Sequence, residues 1–342
     1  MNLSPTAQAT LLLTSYFSNA NSNDAKPLTN TEWGRFASWL KGEGLTPADL
    51  LGANHQTLLK DWQDSKISIE RILALLGRGH SLAIAVEKWQ RAGLWVVTRS
   101  DATYPKRFKA RLGINSPPVL FGCGDSSLLN MGGIAVVGSR KACDADLKFT
   151  DQLGAKAASQ GIGVISGGAR GVDETAMSGA MRAEGQVVGI LADSLLRAAT
   201  SAKWRKGVMG GNVVLVSPFY PEAGFNVGNA MARNKYIYCL ADAAVVIHSG
   251  KKGGTLNGAE ENLKQEWIPL WVKPTQDKDA ANEQLVAKGG NWCNDDVLSI
   301  DTTALIISHD QVADESAIYP TTDNQVDLFA NGVREVEAKF KM

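Results

Sequence analysis

One stretch, residues 134–173, constrains the fold more than any other part of this 342-residue chain. It begins with an apolar, β-branched run from Ile134 to Val137 and turns at Gly138-Ser139-Arg140. A segment rich in Ala, Leu and Lys, with helical character, then leads to a second apolar run from Ile162 to Ile165. A strand, a crossover helix and a second strand make a βαβ unit, so the two strands are expected to lie parallel in one sheet.

Further short apolar runs predict that this unit is part of a larger sheet. They follow at Val187 to Leu191, Val213 to Val216, Ala243 to Ile247 and Ile268 to Val272, with helical or loop segments between them. Short buried strands that alternate with helices are typical of a doubly wound, mostly parallel α/β sheet. A further short run, Leu94 to Val97, leads into it.

The segments on either side of the sheet have a different character. Residues 1–90 are interpreted as a small helical domain, residues 91–305 as the sheet domain, and residues 306–342 as a polar linker that ends in a short helix, Arg334 to Phe340. The predicted helices of the first domain are Ala7 to Phe17, Trp33 to Leu40, Thr46 to Leu51, Ile67 to Leu76 and Leu82 to Arg91. Its tryptophans, Trp33, Trp39, Trp62 and Trp89, are expected to share one core rather than to stack on bases.

Composition excludes several classes of protein. The 35 Lys and Arg residues balance 35 Asp and Glu residues, so any basic surface must be built locally. The four cysteines are far apart and form no CxxC motif, which argues against a zinc site and a disulfide framework. No run approaches the roughly 18 apolar residues of a membrane helix. We therefore expect a cytoplasmic protein with no metal, no cofactor and no membrane association.

Three glycine turns with basic residues follow predicted strands. The first is Gly138-Ser139-Arg140, the second is Ser166-Gly167-Gly168-Ala169-Arg170-Gly171, and the third is Lys252-Gly253-Gly254-Thr255. Parallel strands end at one edge of a sheet, where helix N-termini direct N–H groups outward, so the three turns predict a phosphate pocket. The first turn lacks the GxGxxG pattern, which argues against NAD binding.

A basic segment, Arg233-Asn234-Lys235, precedes the strand at Ala243 and is expected to add charge to this edge. The predicted phosphate-binding or DNA-binding residues are therefore Gly138, Ser139, Arg140, Ser166, Gly167, Gly168, Arg170, Gly171, Arg233, Asn234, Lys235, Lys252, Gly253, Gly254 and Thr255. Asp173 is assigned a structural role as the cap of the next helix. Phe219, Tyr220 and Phe225 could stack on bases, or they could pack within loops.

Taken together, these residues resemble the DNA-processing protein A family (DprA, also called Smf). The motifs that carry the resemblance are Asp101-Ala-Thr-Tyr-Pro105, Pro117-Pro-Val-Leu-Phe121, Gly124-Asp125, Val137-Gly-Ser-Arg140, Ser166 to Asp173, Arg233-Asn-Lys235, Gly253-Gly-Thr-Leu256 and Leu285-Val-Ala-Lys-Gly289. The resemblance implies a helical domain followed by an extended Rossmann-like domain, a homodimer, and a non-enzymatic protein that binds single-stranded DNA in a basic pocket. It also implies a role in natural transformation, in DNA uptake or in loading the recombinase RecA.

The chain departs from the family's pattern at three places. Met177 stands where the family usually has a histidine, Asp193-Ser-Leu-Leu-Arg197 replaces a Tyr-Pro, and Lys235 replaces an arginine. These departures favour a divergent member of the family. They leave open whether Arg197 or Lys203 supplies a basic side chain after the third strand of the sheet. They also keep a second hypothesis open: an antitoxin or regulatory subunit of an anti-phage toxin–antitoxin module, which would bind a protein partner.

A third hypothesis is an enzyme, a nucleotide phosphoribohydrolase of the Lonely Guy type. Such an enzyme needs a glutamate just after a glycine-rich turn, and Glu260 and Glu261 follow Thr255 later than that family places the acid. A shift of two residues along a helix rotates a side chain by about 200°. The sequence therefore favours DNA binding over catalysis.

Overall fold

The structure is a computed structural model that describes residues 2–18 and 25–307. The predicted helix from Arg334 to Phe340, and nearly all of the predicted linker at 306–342, lie outside these residues. Across the two described ranges, every helix is too short or too polar to serve as a membrane span.

The first part of the chain is helical, as predicted. Helices α1 to α5 are Pro5–Thr14, Asn30–Gly42, His55–Leu58, Ile69–Leu76 and Gly79–Arg91, and a 3-10 helix spans Pro47–Leu51. Capping fixes where several of them begin. The hydroxyls of Ser4 and Ser68 accept N–H bonds at the starts of α1 and α4, and Thr29 forms a reciprocal capping box with Glu32 at the start of α2.

Within residues 2–18 and 25–307, nine strands form a single sheet. Strands β1 to β9 are Trp95–Thr98, Val119–Gly124, Ile134–Val137, Val164–Ser166, Val187–Ile190, Val213–Ser217, Ala243–Val246, Leu270–Val272 and Asn291–Trp292, in the spatial order β1-β2-β6-β5-β4-β3-β7-β8-β9. Only the β1–β2 and β2–β6 pairs are antiparallel. The α/β class and the mostly parallel sheet are confirmed, whereas β2 and β9 were not among the predicted strands, because glycines interrupt β2 and β9 has only two residues.

Helices cover both faces of the sheet. Helices α6 to α14 are Lys106–Leu112, Asp144–Ser159, Val172–Arg182, Leu195–Ala199, Ala202–Met209, Val227–Leu240, Gly254–Gln265, Asn282–Ala287 and Thr302–Ile307. Side chains alternate along a strand, so Ile134 and Val136 join the apolar cluster under α7 and α8, while Ala135 and Val137 join the cluster under α11 and α12. The sheet is therefore doubly wound.

Trp89 does not share the core of the helical region, contrary to the prediction. Trp33 and Trp62 lie in that core with Trp39 packed against it. The Trp89 ring instead packs edge-on against Phe121 of β2, with centroids 4.9 Å apart. The reason is that α5 leads directly into β1 and packs its buried face on the sheet.

The strand β3 marks the point where the winding changes face. It lies between β4 and β7, and all three strands run parallel. Helix α7, which follows β3, covers one face of the sheet, and α11, which precedes β7, covers the other. The loops that follow β3, β4 and β7 consequently emerge side by side, at the place where open α/β sheets bind ligands.

Thiol reactivity provides a test of this core. Cys143 is exposed, whereas burial raises the pKa of Cys123 to about 11 and that of Cys239 and Cys293 to about 12. Because the thiolate is the nucleophile, about one molecule in a thousand or fewer would be reactive at each buried site at pH 8. We expect one rapid maleimide adduct on the native protein and four after denaturation, measured by intact mass. Two or more rapid adducts before unfolding would contradict the packing described here.

Candidate nucleic-acid interface

The three loops enclose a pocket of about 490 Å³ at the carboxyl edge of the sheet. It brings together ten residues that the sequence singled out: Gly138, Ser139, Arg140, Asp173, Arg233, Asn234, Lys252, Gly253, Gly254 and Thr255. Residues that are more than 100 positions apart in the chain, from the first loop and the third, thus line one cavity.

Backbone contacts hold the loops together. The Ser139 N–H donates to the His248 carbonyl at 2.9 Å, and the Val172 N–H donates to the Ser139 carbonyl at 3.4 Å. The Asn234 side-chain amide donates to the Gly254 carbonyl at 2.8 Å. The first loop is therefore fastened to both of the others, and α11 is fastened to the start of α12.

Gly171 lets the first two loops approach each other closely. Its φ is +94°, and a Cβ atom there would lie 2.7 Å from the Ser139 carbonyl oxygen and 2.9 Å from the Arg140 Cα. A side chain would therefore strain the backbone and displace the segment that carries Arg140.

A buried ion pair forms the floor of the pocket. Arg233 is 4% exposed, and its Nη1 lies 3.5 Å from Oδ2 of Asp173. A Cβ atom at Gly167 would lie 1.0 Å from this Nη1, so the glycine leaves the space that the guanidinium occupies. Within the described residues, the Nε and Nη1 atoms of Arg233 donate no hydrogen bond. The guanidinium at the base of the pocket is thus held by its ion pair with Asp173, and its Nε and Nη1 atoms are buried.

Burial dominates the titration of both partners. It raises the pKa of the Asp173 carboxyl, while Arg233 and the N–H groups of Gly138 and Gly167 act in the opposite direction. Burial likewise lowers the pKa of Arg233, and Asp173 counteracts it, whereas the nearby Arg140 adds to the lowering. Arg233 therefore lies between its counter-ion Asp173 and the like charge of Arg140, and of these two cations Arg140 is the exposed one.

The prediction that Asp173 caps α8 is wrong. The helix begins at Val172 with Gly171 at its N-cap position, and no side chain caps it. Asp173 lies inside the first turn and turns inward, where it contacts Gly138, Gly167 and Arg233 rather than the end of its own helix. Its structural role is to join the first two loops to α11.

Two predicted contact residues lie elsewhere. Ser166 is buried, and its hydroxyl donates to the Val136 carbonyl at 2.6 Å, so it links β4 to β3. Lys235 lines a separate recess near Arg111 and Glu261. Arg233 and Lys235 are two positions apart on α11, which places them about 200° apart around the helix.

The remaining predicted residues line two neighbouring cavities that share Arg140 with the first. Gly167 and Gly168 line a second pocket of about 510 Å³, which Arg233 also borders. Arg170 and Gly171 line a groove between α7 and α8. The guanidinium groups of Arg140 and Arg170 are both exposed. Arg140 therefore stands where three depressions of the surface meet.

The sequence left open whether Arg197 or Lys203 supplies a basic side chain after β5. Both residues line the second pocket, together with the acids Glu174 and Asp193. Lys203 forms an ion pair with Glu174, whereas the Arg197 side chain makes no hydrogen bond or ion pair within residues 2–18 and 25–307. Of these two cations, Arg197 is therefore the one available to a ligand.

The sequence named Phe225 as a residue that could stack on bases or pack within a loop, but it did not reveal that Phe225 forms an apolar wall of the first pocket together with Val227 and Met231. Phe225, Val227 and Met231 line it, although they are 59%, 63% and 45% exposed. The Arg140 guanidinium carbon lies 5.1 Å from the centroid of the Phe225 ring. The only sign of this wall in the sequence is that three large apolar residues precede Arg233 outside the pattern of a buried helix face.

A sequence model of the family described as DNA recombination-mediator protein A matches residues 95–300, a range that contains all three loops and the whole sheet. The chain belongs to this family. Met177, where the family resemblance places a histidine, is fully buried beside Gly189, so that departure alters the core and not the lining of the first pocket.

Among curated proteins, the chain is similar to DNA processing protein DprA of Bacillus subtilis (strain 168), with 26% identity over 180 residues. The match covers 52% of this chain and 60% of that relative, so the chain spans less than two thirds of the relative's length.

Two solved structures are similar in fold to this chain. DNA processing protein A from Streptococcus pneumoniae has a TM-score of 0.65 at 18% identity, covering 88% of this chain and 99% of that one. DNA processing protein A from Helicobacter pylori, solved to study its single-stranded DNA binding mode, has a TM-score of 0.52 at 21% identity, covering 64% and 96%.

Proposed function

We propose that this chain binds single-stranded DNA through its phosphates, in the pocket at the carboxyl edge of the sheet. The observation that carries the proposal is the arrangement of exposed Arg140, Lys141 and Lys252 around the buried Arg233–Asp173 ion pair. Phosphate oxygens are strong acceptors, and a guanidinium can bind two of them at once. Phe225 and Met231 offer apolar faces to the bases that accompany those phosphates.

The shape of the site favours an extended strand over a single nucleotide. Arg140 borders three adjacent depressions, so a chain of phosphates can pass it on either side. Phosphate contacts carry little sequence information, so binding should be nearly independent of sequence. Membership of the recombination-mediator family supports a role in recombination, in RecA loading or DNA uptake, and we include a homodimer in the proposal.

The geometry gives less support to a phosphoribohydrolase. Glu260 accepts hydrogen bonds from Gln284 and Lys288, and Glu261 lines the recess that contains Lys235. Among the described residues, no glutamate lines the first pocket. Neither Glu260 nor Glu261 therefore lies beside the candidate phosphate site, and among the described residues the acid that lines it, Asp173, is paired with Arg233.

A salt titration tests the proposal. The affinity of the full chain for oligo-dT should fall as salt rises, with a slope of about −0.7 for each phosphate neutralised on a single strand. Four contacts would give a slope of about −3. Fluorescence anisotropy between about 50 and 200 mM salt measures it. No detectable binding at the lowest salt would refute the proposal.

A further inference from the structure

A second basic groove runs between the helical region and the sheet. It has a volume of about 490 Å³ and is lined by Lys88, Arg91 and Ala92 of the α5 region and by Leu196, Arg197 and Thr200 of the α9 region. Lys88, Arg91 and Arg197 are exposed, while Ala92 and Leu196 supply a partly buried apolar floor. Of the described residues, no acid is part of the lining.

This groove is continuous with the site described above. Arg197 lines both the groove and the second pocket, and the second pocket shares Arg140 and Arg233 with the first. A polyanion that leaves the first pocket past Arg140 therefore meets Arg197 next and then α5. The short helix α9, which carries Arg197, belongs to the segment where this chain departs from the family's pattern.

The two cations of α5 are paired only with surface acids. Lys88 forms an ion pair with Glu222, and Arg91 pairs with Glu87 one helical turn earlier. Exposed pairs of this kind contribute about 1 kcal/mol or less, so a phosphate can replace the carboxylate at small cost. Arg197 has no such partner to give up.

We propose that single-stranded DNA leaving the first pocket continues over Arg197 into this groove, so that Lys88 and Arg91 of the helical region form a second contact surface for the strand. The inference rests on the proposed function. It predicts that the helical region contributes to affinity only when the strand is long enough to reach it. An acidic segment of a protein is the competing occupant.

The test compares two lengths of oligo-dT on the full chain, about 4 and about 16 nucleotides, which bracket the range of single-strand site sizes. The double variant K88A/R91A is expected to bind the 16-mer about 5- to 25-fold more weakly, because each exposed cation contributes up to about fivefold in affinity. The slope of its affinity against salt should be smaller by about 1.4. It should bind the 4-mer like the unmodified chain. The matched control is R205A/K206A, which removes two exposed cations of α10 that line neither pocket nor groove.

The outcomes separate this inference from the proposed function. No binding of either length by the unmodified chain would defeat the proposed function itself. Unchanged 16-mer binding by K88A/R91A, or an equal loss with R205A/K206A, would overturn the proposal that DNA occupies the groove and would favour a protein segment as its occupant. An equal loss of affinity for both lengths would also overturn the proposal, because it would mean that the substitutions act through the first pocket. A photoreactive base at each end of the 16-mer gives an independent readout, with a crosslink to residues 79–91 expected and its absence counting against the path.

Discussion

Replacing Asp173 with alanine is expected to lower the free energy of unfolding by about 3–5 kcal/mol, because it leaves the buried guanidinium of Arg233 without a counter-charge. Asp173 is the acidic partner of Arg233 in the structure and also accepts N–H groups from the first two loops. The loss should therefore exceed that of an ordinary surface substitution. Urea denaturation, with a check that the slope against urea is unchanged, measures it.

The control for this result is the double variant D173A/R233M. Removing both charges replaces a buried pair with apolar atoms, which is often neutral or even stabilising. The double variant should therefore recover most of the stability that D173A loses. If D173A costs less than about 1 kcal/mol, or if the double variant is no more stable, the buried charge is not what makes Asp173 important.

Substituting Arg140 with alanine is expected to weaken oligo-dT binding by about 10- to 100-fold, the range for losing charge-assisted hydrogen bonds worth about 1.5–3 kcal/mol. Arg140 borders all three depressions of the site, so its loss affects every path that a strand can take. The side chain is exposed, lies over the Phe225 ring and makes no hydrogen bond or ion pair within the described residues, so thermal stability should change little. Anisotropy titrations of both proteins at one low salt concentration provide the comparison.

Two companion variants make the Arg140 result specific. R140K keeps the charge but loses the planar fork, so it should fall between R140A and the unmodified chain. K148A removes an exposed cation from α7 that lines none of the cavities and should bind normally. Equal affinity of R140A and K148A would contradict the placement of the phosphate site at the first loop.

Local patterns were sufficient to predict the fold and the edge of the sheet at which the three glycine turns line a pocket. The βαβ unit from Ile134 to Asp173 has apolar runs, glycine turns and a crossover helix, and each of these depends on nearby residues only. The positions of the three glycine turns followed from strand ends in the same way. Strand β2 was missed because its glycines at 122 and 124 interrupt the apolar run that identifies a strand.

Side-chain direction was the part that sequence could not supply. Arg233 and Lys235 look equivalent in the sequence, yet one is buried at the base of the pocket and the other faces a separate recess. The difference depends on which face of α11 packs on the sheet, and that is set by contacts with distant elements. Asp173 was misjudged for the same reason, because its partner Arg233 lies 60 positions away in the chain.

The assembly of the first pocket from three separate loops has a consequence during biosynthesis. Its last contributors, Gly254 and Thr255, lie at the start of α12, and β7 must dock beside β3 before the third loop reaches the first. Contacts between residues so distant in sequence form late in folding, because the long intervening chain must first lose the conformational entropy of loop closure. A growing polypeptide on the ribosome therefore presents Arg140 long before the first pocket is complete, and the nucleic-acid affinity proposed for that pocket should arise only once the third loop has emerged and folded.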